Sequence, residues 1–238
     1  MPAPHRGSTA SAIRREGALI ASVALLGLLA SACTGTRKLM DPTLTLETSF
    51  GTELGVATEY GVVFLGHTAR AGDVDITAWF GDGPSVESTV IEPVGGGLYT
   101  AETEIRLPWV PLTFEAPGAG SRVTVIGRDR DGETWQSEVR VATHPRVSGL
   151  LLEIPSRLRD APGQVGAGVF VPGERDEEVN RETMRLLGLV SGKVRLETGE
   201  GAPSEYLTVM GPQDLWRLVS YHRTDVHKRR WVYRGDIL

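Results

Sequence analysis

Few residues of this chain combine the side-chain types and the spacing that acid–base or nucleophilic chemistry needs. His67 follows an apolar run and is a candidate general base, a candidate metal ligand, or a polar side chain near a strand end. His222 and His227 lie five residues apart, which does not place them on one helical face, so a metal site there is not favoured. Ser191 and Ser220 have no His and Asp partners at a recognisable spacing. Spacing alone therefore indicates no catalytic or metal site.

Two short segments look like binding loops but lack the residues that such loops need. The segment 129–132 (DRDG) has two aspartates and a glycine, yet no bidentate glutamate follows at the calcium-loop spacing, so it predicts a tight hairpin. The segment 163–168 (GQVGAG) has no Lys-Ser or Lys-Thr pair after it, as a phosphate-binding loop would. The sequence therefore predicts neither a metal nor a cofactor.

The single cysteine, Cys33, closes an apparent export leader. A basic start with Arg6, Arg14 and Arg15 precedes the apolar run Ala18–Ala30, which is shorter than the ~20 residues of a membrane-spanning helix. Leu29-Ala30-Ser31-Ala32-Cys33 resembles a bacterial lipobox, and the resemblance implies that Cys33 is acylated after cleavage. We therefore expect a signal peptide over 1–32, a lipidated tether over 33–43, and anchoring in the cell envelope, at the outer membrane or cell surface.

Composition restricts the partners of the mature chain. The whole sequence has 25 basic and 30 acidic side chains, and the leader holds three arginines and one glutamate, which leaves 22 against 29, or −7. This balance disfavours nucleic-acid binding, which depends on neutralising phosphates. One cysteine excludes an intrachain disulfide framework or a cysteine-rich zinc site. The basic, aromatic tail His227–Tyr233 (HKRRWVY) could contact anionic headgroups or a partner, although a solvated strand or a cover over the fold is the favoured interpretation.

Short apolar runs broken by Gly, Pro and Asp predict an all-β chain with one terminal helix. Alternation of apolar and polar side chains is clearest in 74–80 (VDITAWF) and 135–142 (WQSEVRVA). The predicted strands are 60–65, 74–80, 86–93, 103–107, 123–128, 135–142, 149–154, 167–171, 186–191, 193–197 and 206–209. The charged segment Glu174–Arg185 predicts a solvated loop or short surface helix, and Pro212–His222 predicts a helix.

Three segments near the C-terminus carry a resemblance to a known family. Ala161–Phe170 (APGQVGAGVF), Leu186–Gly192 (LLGLVSG) and Tyr206–Met210 before the final helix are similar to the second barrel of trypsin/chymotrypsin-like serine proteases. The resemblance covers roughly residues 50–222, and 111–127 looks like the stretch that links the barrels. It implies two packed antiparallel β-barrels with a C-terminal helix, which we assign to 44–145 and 146–238.

The same resemblance implies that the catalytic groups of the family are missing. Gly163-Gln164-Val165-Gly166 stands where the family has Gly-Asp-Ser-Gly, so Val165 takes the place of the nucleophilic serine. His67 takes the place of the base, without the usual Thr-Ala-Ala lead-in. The orienting acid should precede an apolar strand near 101–107, where Glu102 and Glu104 are the candidates. The chain is therefore expected to be a non-catalytic pseudoprotease.

These expectations lead to one favoured function and two alternatives. The favoured function is a lipid-anchored envelope protein that binds a protein or peptide partner, for instance by strand addition in a vacant cleft. The first alternative is an immunoglobulin-like sandwich over 44–145 with a smaller β domain over 148–238, serving assembly or adhesion. The second is an active hydrolase with a different serine, for which the candidates are Ser121, Ser148, Ser156, Ser191 and Ser204.

Overall fold

A computed structural model describes residues 42–48, 51–67, 76–79, 86–103, 109–159, 164–176, 181–197 and 203–235. The predicted leader, Cys33 and Glu104 lie outside these ranges. Within them, no helix has the length and apolar character that crossing a bilayer requires.

The first barrel is closed by six antiparallel strands in the order β1-β2-β3-β6-β5-β4. The strands are β1 Thr43–Thr48, β2 Gly51–Thr58, β3 Gly61–Leu65, β4 Ile76–Trp79, β5 Val86–Gly95 and β6 Leu98–Thr103. Strands β5 and β6 are joined through Gly96 and Gly97, whose φ angles are +68° and +91°. Two successive residues with positive φ suit the tight hairpin turn whose twist matches that of its strands.

The second barrel is closed by six strands in the order β10-β11-β12-β9-β8-β7. The strands are β7 Arg122–Arg128, β8 Thr134–His144, β9 Val147–Glu153, β10 Gly168–Asp176, β11 Arg181–Leu196 and β12 Ser204–Met210, with one 3₁₀ turn at Ser156–Leu158. Along β8 the side chains of Ser137, Val139 and Val141 are buried, and those of Gln136, Glu138 and Arg140 that alternate with them are exposed. This confirms the alternation predicted for that segment.

A helix, α1 (Pro212–Gly235), follows the second barrel and contacts both barrels. Leu215, Leu218 and Val219 are buried on the barrel side. The Tyr221 hydroxyl donates a hydrogen bond to the Glu92 carboxylate of β5, which ties the helix to the first barrel. The helix therefore joins the two halves of the fold.

Three apolar clusters stabilise this arrangement. One lies in the first barrel and includes Leu44, Leu46 and Phe64, and one lies mainly in the second barrel. The third combines strands of both barrels, the linker at Val110 and Leu112, and the helix. Burial of apolar surface between the barrels packs their described parts and the helix into one unit rather than two independent domains.

The predicted boundary between 145 and 146 is wrong. It falls in the tight turn between β8 and β9, which pair antiparallel with Ala142 beside Leu151. Strands β7 and β8 close the second barrel, so the first barrel ends at β6 and the linker follows it. The immunoglobulin-like sandwich over 44–145 is excluded for the same reason, because these residues contribute to two different closed barrels.

Several local predictions are corrected as well. The strands β1 and β2 precede Tyr60, where none was predicted. The two strands predicted at 186–191 and 193–197 are one strand, β11, that changes partner from β10 to β12 near Leu189. Most of the charged segment 174–185 forms the ends of β10 and β11 rather than a loop or helix, and the tail 227–233 is helical rather than a strand.

Candidate functional site

A four-residue turn, 164–167, contains the valine that the resemblance aligns with a nucleophile. The Gly166 amide donates a hydrogen bond to the Val190 carbonyl at 2.7 Å, and the Val190 amide donates to the Ala167 carbonyl at 2.9 Å. These bonds join the turn to β11, which holds the sequence LLGLVSG. The turn leaves Val165 43% exposed although most of its neighbours are buried.

The turn is also pressed against the first barrel. Gly166 has φ +86°, and a Cβ placed on it would lie 3.0 Å from the Cβ and the carbonyl oxygen of Leu54 in β2. Glycine is therefore required there both for the backbone conformation and for the close approach. Sequence reasoning missed Leu54, because nothing in its local pattern indicates a contact more than a hundred residues away.

Gln164 is 5% exposed and replaces an acid in the family pattern. Its Nε2 donates a hydrogen bond to the Leu158 carbonyl of the 3₁₀ turn. Its Oε1 is buried without a hydrogen-bond partner among the described residues. A neutral amide suits this position because burying a carboxylate would cost far more.

His67 lies two residues beyond the end of β3, and it is exposed. Its amide donates to the Leu65 carbonyl at 2.7 Å, and the Gly66 amide donates to the Gly97 carbonyl at 3.3 Å. Leu65 belongs to the same apolar cluster as Leu189 of β11. His67 and the 164–167 turn therefore both adjoin packing between the barrels.

Glu102, the candidate acid that the structure describes, does not pair with the end of β3 that leads to His67. The antiparallel register pairs Leu65 with Leu98, whereas Ala101, the residue before Glu102, pairs with Val62. Glu102 therefore follows the opposite end of this ladder, and Glu104 is two residues further along the sequence, outside the described residues. Glu102 lies within β6, which begins at Leu98 after Gly95, Gly96 and Gly97, so it does not precede that strand. The rest of the segment 101–107 in which the acid was expected lies outside the described residues from position 104 onward.

The glycine turn before β6 is covered by the C-terminal helix and the strand before it. A Cβ on Gly96 would lie 3.0 Å from Arg217 Cζ, and one on Gly97 would lie 3.5 Å from Met210 Cε. The Arg217 and Met210 side chains therefore lie over this turn. Nothing in the local pattern of these glycines indicates this packing, because its partners lie more than a hundred residues away in the sequence.

The other residues with candidate chemistry have structural roles. Asp129 Oδ1 accepts hydrogen bonds from the amides of Asp131 and Glu133 at 3.0 and 2.9 Å, which confirms the DRDG hairpin. The Ser191 hydroxyl contacts the carbonyl and the hydroxyl of Thr208 at 3.2 and 3.0 Å. No group of three potential metal ligands occurs in the part of the chain that the structure describes.

One segment of β11 has a strand partner on only one side among the described residues. Gly192–Leu196 of β11 pair with β12, after an irregularity at Ser191, whereas β10 pairs with β11 only as far as Leu189. Among the described strands, none pairs with the other side of this segment. Backbone groups on an unpaired strand side are able to bond an added strand.

Comparisons with solved structures identify the fold. No protein-family model and no curated protein matches the chain. A kallikrein-related peptidase 10 complex with Zn²⁺ matches with a TM-score of 0.53 and 13% identity, over 80% of this chain and 97% of that chain. The Rv3671c protease of M. tuberculosis, inactive form, matches with a TM-score of 0.46 and 15% identity, over 76% and 89%. A serine protease of a human pathogenic astrovirus matches with a TM-score of 0.48 and 14% identity, over 74% and 93%.

The topology and the likeness to the kallikrein-related peptidase agree. Both support the expected all-β class, with two packed barrels and a C-terminal helix. The chain has the chymotrypsin-like fold.

Proposed function

We propose that this chain is a lipid-anchored envelope protein that binds a protein or peptide partner and does not cleave it. The observation that supports it best is the exposed Val165 in a turn bonded to Val190. The two segments with the strongest family resemblance thus meet, and an aliphatic side chain stands in the serine's place. Valine has no oxygen that could attack a carbonyl carbon, and loss of the triad serine costs about 10⁶-fold in kcat.

A second feature supports the proposal independently. In the family, an acid that orients the histidine stands before an apolar strand. Here β6 is preceded by three glycines, and the Gly97 carbonyl accepts a bond from the amide next to His67. Without a carboxylate at this place, nothing there would hold the imidazole in a catalytic tautomer. Restoring a serine alone would therefore leave the machinery incomplete.

The open side of β11 suits the binding of an extended peptide. Residues 191–196 offer backbone donors and acceptors on the side away from β12. Closed barrels remove most strand edges, so this segment is a specific candidate for strand addition. Main-chain hydrogen bonds would supply affinity, and neighbouring side chains would supply selectivity.

Lipid anchoring is proposed from the leader. Cys33 follows small residues and a short apolar run, in the pattern of an acylated cysteine. Each buried methylene contributes ~0.8 kcal/mol, and two or three acyl chains anchor a protein stably where one does not. Thr34 follows the cysteine, rather than the aspartate that suggests inner-membrane retention by analogy with Gram-negative lipoproteins, so the outer membrane or cell surface is the proposed location.

Catalysis is tested with a fluorophosphonate probe and a panel of peptide esters. We expect neither labelling nor turnover for the wild-type chain, nor for Val165→Ser, whose exposed position tolerates the change. Saturable turnover in the wild-type chain would overturn the proposal. Alanine variants of the alternative serines would then identify the nucleophile: Ser121, Ser148, Ser156, Ser191 and Ser204.

Anchoring and binding are tested separately. Mass spectrometry of the exported chain should find an acylated Cys33 at the amino terminus, and Cys33→Ser should release the protein into the soluble fraction. For binding, peptides selected by phage display on the purified chain should slow hydrogen exchange at the amides of 191–196. Slower exchange elsewhere and not at β11 would contradict strand addition.

A further inference from the structure

The segment Gly192–Leu196 of β11 carries positive charge at alternating positions. Lys193 and Arg195 are two residues apart, and both are exposed. Because successive side chains of a strand point to opposite faces, these two lie on one face. Among the described strands, only β12 pairs with this segment. The open side of β11 therefore presents two cations on one face, in a protein whose formal net charge is −5.

The Lys193 ammonium group has a neutral partner. Its Nζ donates a hydrogen bond to the Arg159 carbonyl at 2.7 Å. A carbonyl oxygen satisfies one of the three ammonium donors and leaves the charge uncompensated. The bond also holds the long side chain in place, so less rotamer entropy is lost when a carboxylate binds there.

The Arg195 guanidinium is not paired within the described part of the chain. Arg195 lies directly opposite Glu205 in the ladder of β11 and β12. Glu205 Oε2 instead lies 3.9 Å from Arg159 Nε, and both of those side chains are exposed. The described residues give Arg195 neither an ion pair nor a hydrogen bond. Its donors are therefore available to a ligand.

An open cavity of about 450 Å³ lies beside Arg195, over the ends of β9 and β12. Two arginines and two glutamates line it: Arg159, Arg195, Glu153 and Glu205. Because these charges balance, the cavity by itself favours no anion. The excess positive charge lies along the strand, which places the acidic groups of a ligand opposite Lys193 and Arg195 rather than deep in the cavity.

We propose that the open side of β11 selects an extended peptide with acidic side chains two residues apart. This inference rests on the proposed strand addition and names the chemistry of its partner. In an antiparallel pair, directly opposite residues have Cβ atoms about 5 Å apart on the same face. Two carboxylates at alternate positions of the peptide therefore reach Lys193 and Arg195 together, and opposite charges stabilise such cross-strand pairs.

The same two cations oppose pairing between two copies of this segment. Antiparallel pairing of the whole segment Gly192–Leu196 with itself is centred on Val194. It sets Lys193 of each copy opposite Arg195 of the other, so like charges would face each other twice. Exposed strand edges commonly carry lysine, which discourages such association. The charges thus disfavour a second copy as the occupant and favour an acidic partner.

The test compares three peptides with blocked ends in titrations of the purified chain. The first is Ser-Val-Glu-Val-Glu-Val-Ser, and the second has glutamine in place of both glutamates. The third, Ser-Val-Glu-Glu-Val-Val-Ser, has the same composition as the first but places its acids on opposite faces. We expect the first to bind about twofold to thirtyfold more tightly than the others, from two cross-strand charge pairs, and this difference to shrink with added salt. Hydrogen exchange at the amides of 192–196 locates the bound peptide.

Double variants assign the preference to the two cations. Lys193→Gln with Arg195→Gln should bind the glutamate and glutamine peptides within about twofold of each other. Lys193→Glu with Arg195→Glu should reverse the preference, so that Ser-Val-Lys-Val-Lys-Val-Ser binds more tightly than the glutamate peptide. The matched control is Arg122→Gln with Arg140→Gln, which removes two exposed cations that face each other across β7 and β8 and should keep the preference. Thermal unfolding of each variant shows whether its fold persists.

The outcomes separate this inference from strand addition itself. Equal protection of 192–196 by the glutamate and glutamine peptides would overturn the preference for acids and leave strand addition in place. No protection by the glutamate peptide would also overturn the inference, whereas protection by peptides from phage display would still support strand addition. An equal loss of preference in the control variant would overturn it too, as would self-association of the chain that competes with the peptide.

Discussion

Gly166 of the second barrel contacts Leu54 of the first so closely that a Cβ at position 166 would lie 3.0 Å from the Leu54 carbonyl oxygen. One glycine thus sets the distance between the turn that holds Val165 and strand β2. Any side chain there would have to push the turn away from the first barrel. The spacing of the barrels at the candidate site therefore depends on the absence of a single methyl group.

Replacing Gly166 should destabilise the protein by more than the cost of placing a side chain at a positive φ angle. Gly166→Ala should cost about 2–4 kcal/mol, from the left-handed conformation and the forced contact with backbone. Gly120 has a similar φ of +84° with nothing within 4 Å of its added Cβ, so Gly120→Ala should cost only about 1 kcal/mol. Urea unfolding measures the free energy of unfolding of both variants. Equal losses in Gly166→Ala and Gly120→Ala would show that the contact with Leu54 relaxes at no cost.

Arg128 holds the start of the first barrel against the second. The residue is 5% exposed. Its Nε and Nη2 donate to the Thr43 carbonyl at 3.1 and 2.9 Å, and its Nη1 donates to the Gly132 carbonyl at 2.7 Å. Arg128→Met should cost about 2–4 kcal/mol, because buried carbonyls lose charged donors. Arg128→Lys should lose less of the free energy of unfolding than Arg128→Met but still fall short of the wild type, since lysine cannot supply donors in the fork geometry of a guanidinium.

A surface arginine provides the control for this prediction. Arg122 lies 3.4 Å from Glu138, and both side chains are more than half exposed. Arg122→Met should therefore change the free energy of unfolding by less than about 1 kcal/mol. A larger loss at Arg122 than at Arg128 would mean that burial is not what makes the Arg128 bonds important.

The buried amide of Gln164 predicts a pH dependence for an acidic variant. In Gln164→Glu, burial should raise the pKa of the new carboxyl above its value in the unfolded chain. The ionised carboxylate also has no proton to donate to the Leu158 carbonyl, which accepts a bond from the Gln164 amide in the wild type, and this raises the pKa further. Stability should then be highest below the unfolded pKa and fall as pH rises towards the folded pKa. The measurement is the difference in melting temperature between the variant and the wild type at several pH values from acidic to neutral. Gln164→Leu is the control, because leucine does not titrate and its difference from the wild type should not change with pH.

The interface between the barrels predicts cooperative unfolding. Leu218 is fully buried in the cluster that includes Leu65 of the first barrel and Leu189 of the second. Leu218→Ala should lower stability by about 2–5 kcal/mol while both barrels still unfold in one transition. Limited proteolysis should yield no stable fragment ending near residue 145, because such a cut separates β8 from β9. Two separate transitions, or that fragment, would contradict the packing described.

Local patterns predicted those features whose causes are local. The DRDG hairpin follows from residues that need left-handed or turn conformations, and Asp129 bonds amides only two and four residues away. The alternation along β8 follows from one buried and one solvated face. The helix from Pro212 follows from its spacing of Leu215, Leu218 and Val219. Family resemblance added the double barrel, which local patterns alone left beside a sandwich.

The sequence by itself determined that the chain is β-rich, that a valine stands at the position which the resemblance aligns with a nucleophile, and that one cysteine follows a leader-like segment. Only the tertiary structure decided that β6 begins directly after three glycines, that β7 and β8 belong to the second barrel, and that Gly166 meets Leu54. These depend on hydrogen-bond register and packing between residues distant in sequence, such as Val62 with Ala101. Such pairings depend on both strands together, so neither strand's own pattern can specify them.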